Sequence, residues 1–220
     1  MAQKKLENLW QKGRKQMLND VTVFNIREYL SAKGDKDLGE DELRQLLSEF
    51  FCDKNLDVER FLKEQSIEFT KKNQSVTYLV FSNEDASLVG YFTITIKPIT
   101  VNAENFSNTM KRKIARVSEL DEENGTYTLS AYLIAQLGKN FKDGANEKIT
   151  GEQLLHAAVD TIKELQYMAG GMVIFLEAED KEKLIHFYQE ENGFKQFDVR
   201  EMKCRDKDEI HKLVQLLKVM

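Results

Sequence analysis

The chain has 220 residues, of which 41% are hydrophobic and 31% charged, a composition typical of a globular protein with a real core and not of a disordered chain. It carries 32 Lys and Arg against 37 Asp and Glu, and the net charge of −5 gives no overall attraction to nucleic acid or anionic lipid. No uncharged apolar run approaches the roughly 20 residues of a membrane helix, and the polar N-terminus lacks a signal-peptide core. These features predict a cytoplasmic protein without a membrane segment.

Cysteine and histidine are too few and too scattered for a structural metal site. The only cysteines are Cys52 and Cys204, and the three histidines are not at ligand spacing. Because the cytosol is reducing, we expect both cysteines to be free and buried. We therefore predict no metal.

The first 19 residues read as a helical extension of a globular domain that spans residues 20–220. Within residues 4–18, Leu6, Leu9 and Trp10 recur at helical spacing with basic residues on the opposite face.

The first half of the domain combines helices with a β-hairpin. Glu40–Leu47 has acidic residues at its start and leucines on one face, which predicts a helix. Asp57 is the expected N-cap of a helix that runs to about Lys72. Two strands, Val76–Phe81 and Val89–Lys97, flank a turn-rich loop, and in the second strand Phe92, Ile94 and Ile96 alternate with polar residues. This pattern predicts an antiparallel pair with one buried face.

The second half alternates strands and helices. The pattern predicts, in order, a helix over Asn105–Val117, a turn at Asp121–Gly125, a central strand over Tyr127–Leu137, a helix from about Thr150, a strand over Met172–Glu177, a helix over Asp180–Glu190 and a strand over Phe194–Phe197. This order predicts an α/β protein whose mixed central sheet, flanked by helices, has an antiparallel front half and a parallel centre.

Three segments allow two interpretations on periodicity alone. Val21–Leu30 fits a strand or a short helix, and Ser48–Cys52 fits the continuation of a helix or a strand. Leu213–Val219 fits a helix or a final strand.

The chemistry-bearing unit is a strand, a loop and a helix N-terminus within residues 129–151. A helix N-terminus presents free N–H groups and a partial positive charge, which suit a phosphate or pyrophosphate. Gly144, Ala145 and Gly151 keep bulk away from this point, and Lys148 adds positive charge. The loop alone matches no standard phosphate-binding motif, and taken by itself it favours an ordinary crossover loop over a phosphate site.

The downstream sequence makes the pattern more specific. Gly151-Glu-Gln-Leu-Leu155, Met172-Val-Ile-Phe-Leu-Glu177, Leu184-Ile-His-Phe-Tyr188 and Asn192-Gly-Phe194 together resemble the GNAT N-acetyltransferases, and in particular the branch that contains GNAT toxins. The resemblance covers residues 48–198. It places Asn146, Ile149 and Gly151 on the Gln/Arg, first Gly and final Gly/Ala positions of that family's pyrophosphate loop.

The resemblance implies a GNAT-like fold and acetyl-CoA as cosubstrate. The residues then expected to bind the cofactor lie on the central strand and on the following loop: Ile134, Gln136, Leu137, Gly138, Lys139, Gly144, Ala145, Asn146, Lys148, Ile149, Thr150 and Gly151. It also implies that Tyr188 acts as the general acid that protonates the departing CoA thiolate, although a core aromatic is the alternative for this residue.

Two functions from different classes remain open at this point. The first is acetyl transfer by direct attack of a primary amine, on a small molecule or a macromolecule, with Tyr188 as the acid. The alternative is a GNAT-like module that acts through partners with weak or no catalysis, and Ile149 in place of a loop glycine supports it. A narrower hypothesis is acetylation of aminoacyl-tRNA. The net charge argues against nucleic acid as a partner, and only the basic segment Lys111–Arg116 supports it.

Overall fold

A computed structural model describes residues 16–18, 20–31, 39–203 and 210–220. The described chain divides into two compact units, one formed by Met1–Thr95 and Ala135–Glu164 and the other by Ile96–Ile134 and Leu165–Met220.

Strands and helices alternate along the chain. The strands are β1 (Gln16–Leu18), β2 (Val21–Asn25), β3 (Val76–Ser82), β4 (Leu88–Asn102), β5 (Leu120–Asp121), β6 (Thr126–Lys139), β7 (Val173–Glu179), β8 (Lys195–Lys203) and β9 (Ile210–Val219). The helices are α1 (Arg27–Ser31), α2 (Glu40–Ser48), α3 (Leu56–Arg60), α4 (Ser66–Lys71), α5 (Asn108–Ile114), α6 (Gly151–Ala169) and α7 (Glu182–His186).

The first unit has an antiparallel sheet in the order β1-β2-β3-β4. The predicted antiparallel pair is confirmed, since Leu79 of β3 pairs with Tyr91 of β4 in register. The prediction that only one face is buried was wrong, because consecutive residues of β3 and of the first half of β4 are buried on both faces. Helices α1 to α4 cover this sheet, and the buried side chains form one cluster: Phe24, Ile26, Tyr29, Leu43, Leu47, Phe50, Cys52, Leu62, Ile67, Leu79, Phe81, Ala86, Leu88 and Tyr91. Cys52 is a buried free thiol, as predicted, and burial raises its pKa. Cys204 lies outside the described residues.

Helices α3 and α4 are joined by a π-helical segment, Phe61–Gln65. The predicted N-cap was wrong by two residues, because the Asn55 side chain accepts hydrogen bonds from the N–H groups of Asp57 and Val58. Ser66 is buried and donates a hydrogen bond of 2.6 Å to the carbonyl of Leu62. Residues 56–71 therefore form a helical stretch that carries a π turn in its middle.

The second unit contains the parallel centre of the fold. Its strands follow the order β6-β7-β9-β8, in which β6 and β7 run parallel and the other neighbours run antiparallel. Ile134 of β6 faces Leu176 of β7, and Phe175 faces Leu217 of β9. The α/β class, with an antiparallel front half and a parallel centre, is confirmed.

Several local predictions need correction. Gln16–Leu18 form a strand paired with β2, although the pattern predicted a helix over residues 4–18; residues 4–15 lie outside the described residues. The proposed domain boundary after residue 19 stays a prediction. Of the open segments, Val21–Leu30 forms β2 and then α1, the helix before Ser48–Cys52 ends at Ser48, and Leu213–Val219 belongs to β9. The helix predicted over Asn105–Val117 is shorter, because Ser107 caps α5 and accepts from the N–H of Met110.

No helix in the described part of the chain combines the length and the apolar character that crossing a membrane requires.

Candidate active site

The end of β6 is fixed to its surroundings by Asn140, a buried residue in the first unit. Its Oδ1 accepts hydrogen bonds from the N–H groups of Phe51 and Lys142, at 2.9 and 3.1 Å. Its Nδ2 donates to the carbonyls of Leu88 and Glu49, at 2.8 and 3.3 Å. Since the side chain is 3% exposed, these four bonds replace water and hold the start of the crossover loop against two other segments.

The loop then reverses through a tight turn. Asp143 and Gly144 both have positive φ, 49° and 75°, with ψ of 35° and 10°, which are the angles of a type I′ turn. Asp-Gly is a favoured pair for this turn, since glycine pays no steric cost at positive φ. Beyond it, Ala145 and Ile149 are buried. The buried side chain of Ile149 therefore holds the end of the loop against the core of the first unit.

Helix α6 begins with a reciprocal cap. The N–H of Thr150 donates to Oε1 of Gln153 at 2.8 Å, and the N–H of Gln153 donates to Oγ1 of Thr150 at 3.0 Å. The N–H groups of Gly151 and Glu152 lie in the first turn, where no carbonyl of the helix can accept them. They form a pair of donors at the positive end of a 19-residue helix.

Two lysines of the loop are neutralised by carboxylates. Lys148 contacts Asp85 and donates to Oγ of Ser87 at 3.1 Å, and its hydrogen bond is the main reason that the pKa of Asp85 falls to about 2. Lys142 is paired with Glu49 in the same way. These pairs fasten the loop, so Lys148 is not a free cation for a ligand.

Two other cations near the strand end have no carboxylate partner among the described residues. Lys139 is half-buried, and its pKa is lowered first by burial and second by the positive charge of Lys54. Lys54 is exposed, with its Nζ 4.5 Å from the centre of the Phe141 ring. A bound anion would offset the repulsion between Lys54 and Lys139, which contributes to the lowered pKa of Lys139.

Glycines make the strand end compact. A Cβ added to Gly90 of β4 would lie 2.9 Å from the carbonyl oxygen of Gly138 and 3.2 Å from the methyl groups of Leu154. Only glycine at position 90 therefore lets β4 approach Gly138 and α6 this closely.

Tyr188 belongs to the second unit, in the π-helical segment Phe187–Glu191 that follows α7. Its ring makes edge contacts with Phe187 and Phe194, with centroid distances of 5.0 and 6.0 Å. Burial raises the pKa of Tyr188 to about 12, and its hydroxyl has no hydrogen-bond partner in the part of the chain that the structure describes. The phenol is thus protonated across the physiological range.

No protein-family model matches the chain, and neither does any curated protein sequence. Solved structures match it in fold. AtaT complexed with acetyl-methionyl-tRNAfMet matches with a TM-score of 0.55 and 15% identity, over 88% of this chain and 94% of the other. A tyrosine-to-phenylalanine mutant of KacT gives 0.55 and 16%, over 91% and 95%. A tyrosine-to-phenylalanine mutant of the AtaT toxin, bound to the C-terminus of the antitoxin AtaR and acetyl-CoA, gives 0.52 and 15%, over 91% and 94%. This chain has their fold. The expected mixed sheet flanked by helices is therefore the fold of these structures as well.

The structure brings most of the predicted cofactor residues together. Residues 136–151 form one strand end, loop and helix start within the first unit, whereas Ile134 is a buried ladder residue of the second unit. Within the loop, Ala145 and Ile149 are buried, and Gly144 and Thr150 are exposed. Their role in binding stays a prediction.

Sequence reasoning missed three residues at this strand end. They are Asn140, Lys54 and Val58. Each acts through partners far away in the sequence, such as Phe51 for Asn140. An asparagine three residues after the predicted central strand is the signal that the sequence offered for Asn140. No cluster of three or more metal-ligating side chains occurs in the described ranges.

Proposed function

We propose that the protein is an N-acetyltransferase that moves the acetyl group of acetyl-CoA to a primary amine. The observation that carries the proposal is the start of α6, where the cap formed by Thr150 and Gln153 leaves two N–H donors for a pyrophosphate. The unneutralised Lys54 and Lys139 suit the remaining phosphate charge. The same fold holds acetyl-CoA in the AtaT structure with AtaR.

In the proposed reaction, the neutral amine attacks the thioester carbonyl carbon directly. A backbone N–H in Leu137–Lys139 stabilises the oxyanion, since such donors act where negative charge develops. Collapse of the tetrahedral intermediate breaks the C–S bond, and the electron pair leaves with sulfur. The thiolate takes a proton, and the amide nitrogen loses one to water or to a base.

We propose Tyr188 as the donor of the proton to sulfur. A general acid must be protonated before the step, and the raised pKa of Tyr188 meets this condition up to at least pH 10. The same raised pKa makes the phenol a weaker acid than usual, so the proton moves only as the thiolate forms beside it. Two of the solved structures that share this fold, one of AtaT and one of KacT, are tyrosine-to-phenylalanine mutants, which is consistent with a functional tyrosine in this fold.

A macromolecular amine is the second candidate for the acceptor, and aminoacyl-tRNA is its most specific form. AtaT was solved with acetyl-methionyl-tRNAfMet. In this chain, Arg112, Lys113 and Arg116 are exposed on and just after α5 and have no carboxylate partner among the described residues. Local charge of this kind governs contact with a polyanion even when the net charge is −5.

The test is a thermal-shift titration followed by a turnover assay. Acetyl-CoA should raise the melting temperature of the full chain, because a ligand that binds only the folded state stabilises it by mass action. Release of free CoA thiol should then depend on an added amine, with small amines, peptide N-termini and aminoacyl-tRNA compared at equal concentration. No shift at millimolar acetyl-CoA would overturn the proposal and favour the partner-binding module.

A further inference from the structure

The space beside Gly138 is filled by three side chains of the first unit. A Cβ built on Gly138 would lie 2.4 Å from Cγ1 of Val58, 3.3 Å from Tyr91 and 3.4 Å from Phe50. Carbon atoms do not approach to 2.4 Å without a bond, so glycine is required here by its neighbours. The Val58 side chain therefore rests directly on the backbone of β6 near its end.

Val58 is held in this position at both of its backbone groups. Its N–H donates to Oδ1 of Asn55 at 3.2 Å, and its carbonyl accepts the hydroxyl of Tyr91 at 2.6 Å. Tyr91 is fully buried and makes an edge contact of 5.1 Å with the Phe50 ring. A valine has one strongly preferred rotamer in a helix, so its methyl groups are as fixed as its backbone.

The proposed oxyanion donors lie in the same stretch, Leu137–Lys139. A thioester bound there must place its acyl carbons close to Gly138, and Val58 is the half-buried aliphatic side chain that already touches this point. Phe50 and Tyr91 are fully buried, which leaves them less exposed to a ligand.

We propose that Val58 sets the length of the acyl chain that the protein transfers, by forming the wall at which an acetyl methyl group ends. This inference rests on the proposed acetyltransferase function. An acyl group with one more methylene would have to displace the Val58 side chain. The two hydrogen bonds to the Val58 backbone and the Tyr91 ring oppose that movement. A hydrophobic pocket discriminates one methylene by roughly 10- to 200-fold.

The experiment compares acetyl-CoA, propionyl-CoA and butyryl-CoA with one amine acceptor, in the full chain and in Val58→Ala. The ratio of kcat/KM for propionyl-CoA to that for acetyl-CoA should rise by about 10-fold or more in Val58→Ala. Val58→Ile, which keeps the side chain branched and adds one carbon, should move the ratio the other way. Val76→Ala is the matched control, because it removes the same atoms from a half-buried valine at the start of β3.

The outcomes separate the two proposals. A ratio that stays within about twofold of the parent in a folded, active Val58→Ala or Val58→Ile protein overturns the role of Val58 and leaves the acetyltransferase intact. If the parent binds acetyl-CoA but acetylates no tested amine, the Kd values of the three acyl-CoAs replace kcat/KM, with the same expected direction. If the parent binds none of them, both proposals fail.

Discussion

The loop that follows β6 and the helical turn that carries Tyr188 are held in different ways. The loop is tied through main-chain hydrogen bonds to Asn140, the two buried side chains Ala145 and Ile149, and the pair of Lys148 with Asp85. Residues 182–191 contain no fully buried side chain. The Tyr188 ring is held by edge contacts with other aromatic rings, and main-chain hydrogen bonds, such as the one of 3.0 Å from the N–H of Phe194 to the carbonyl of Tyr188, hold only its backbone.

This difference suits the two tasks that we propose. A pyrophosphate site depends on N–H groups in fixed directions, and a network of hydrogen bonds provides that order before the ligand arrives. A proton donor needs one hydroxyl that stays protonated, and a ring environment provides that by desolvation. We therefore expect substitutions in the loop to act on stability and affinity, and substitutions at Tyr188 to act on rate.

Asn140→Ala should have the largest effect and should act on stability. The change leaves the N–H of Phe51 and the carbonyl of Leu88 without their partner in a buried place, at about 1–3 kcal/mol for each unsatisfied group. We expect a loss of about 3 kcal/mol in urea unfolding. Asn124→Ala, in an exposed turn, is the control and should cost under about 0.5 kcal/mol. Equal losses in the two variants would show that Asn140 does not hold the loop.

Tyr188→Phe should lower kcat by roughly 100-fold, equivalent to about 2.7 kcal/mol, with little change in stability or in acetyl-CoA affinity. The ring and its contacts remain, and only the hydroxyl is lost. In the parent, kcat should not decline on the alkaline side before about pH 10, because burial keeps the phenol protonated. Near-parental turnover of the variant would make Tyr188 a packing residue and water the proton donor.

Gly151→Glu should weaken acetyl-CoA binding at least tenfold, about 1.4 kcal/mol, because it adds bulk and negative charge at the proposed pyrophosphate position. Gly151→Gln separates the two causes, since it adds nearly the same bulk without charge. Calorimetric titration gives both affinities. Binding as tight as that of the parent in a folded Gly151→Glu protein would show that the pyrophosphate lies elsewhere.

Asp85→Asn should have the smallest effect, under about 1 kcal/mol at pH 7, because the pair with Lys148 is partly exposed. The folded pKa of Asp85, about 2, lies below its unfolded value near ~3.9. The carboxylate therefore stabilises the fold above about pH 4, and this contribution is lost as the pH falls through about 2. Urea unfolding between pH 7 and pH 2.5 should show the gap between parent and variant closing. A gap that is constant with pH would contradict the assignment.

Much of the fold could be predicted because its signals are local. Two β-rich runs around a turn-rich loop identify β3 and β4 as a hairpin without knowledge of any contact, and Thr150 with Gln153 marks the start of α6 as a capping pattern. The errors are local as well. Asn55 and Asp57 are both good N-caps, and only the conformation shows that Asn55 is the residue whose side chain accepts from the helix.

The site was less predictable, because its decisive contacts join distant residues. Residues 136–151 could be located from the order of strand, loop and helix. The pairing of Asn140 with Phe51 spans 89 positions, and the contact of Gly138 with Val58 spans a similar interval. Neither contact produces a periodic pattern in the amino-acid sequence. In the sequence, Ile149 stands at a position where the resemblance implies a glycine. In the structure its side chain is buried and holds the loop in place.

The π turn at Phe61–Gln65 has a consequence for how this part of the chain tolerates insertions and deletions. Such a turn accommodates one residue more than an α-helix would, and each residue of an α-helix turns the chain by about 100°. Removing one residue here would restore regular winding and keep α4 in the same rotational phase, whereas a deletion in the regular turn of α3 before it would rotate α4 by about 100° relative to the start of α3. Ser66, Ile67 and Thr70, now buried, would then turn away from the core. The π turn is therefore a place where this helical stretch can lose one residue and keep the buried face of α4 on the core, whereas the regular turn of α3 cannot.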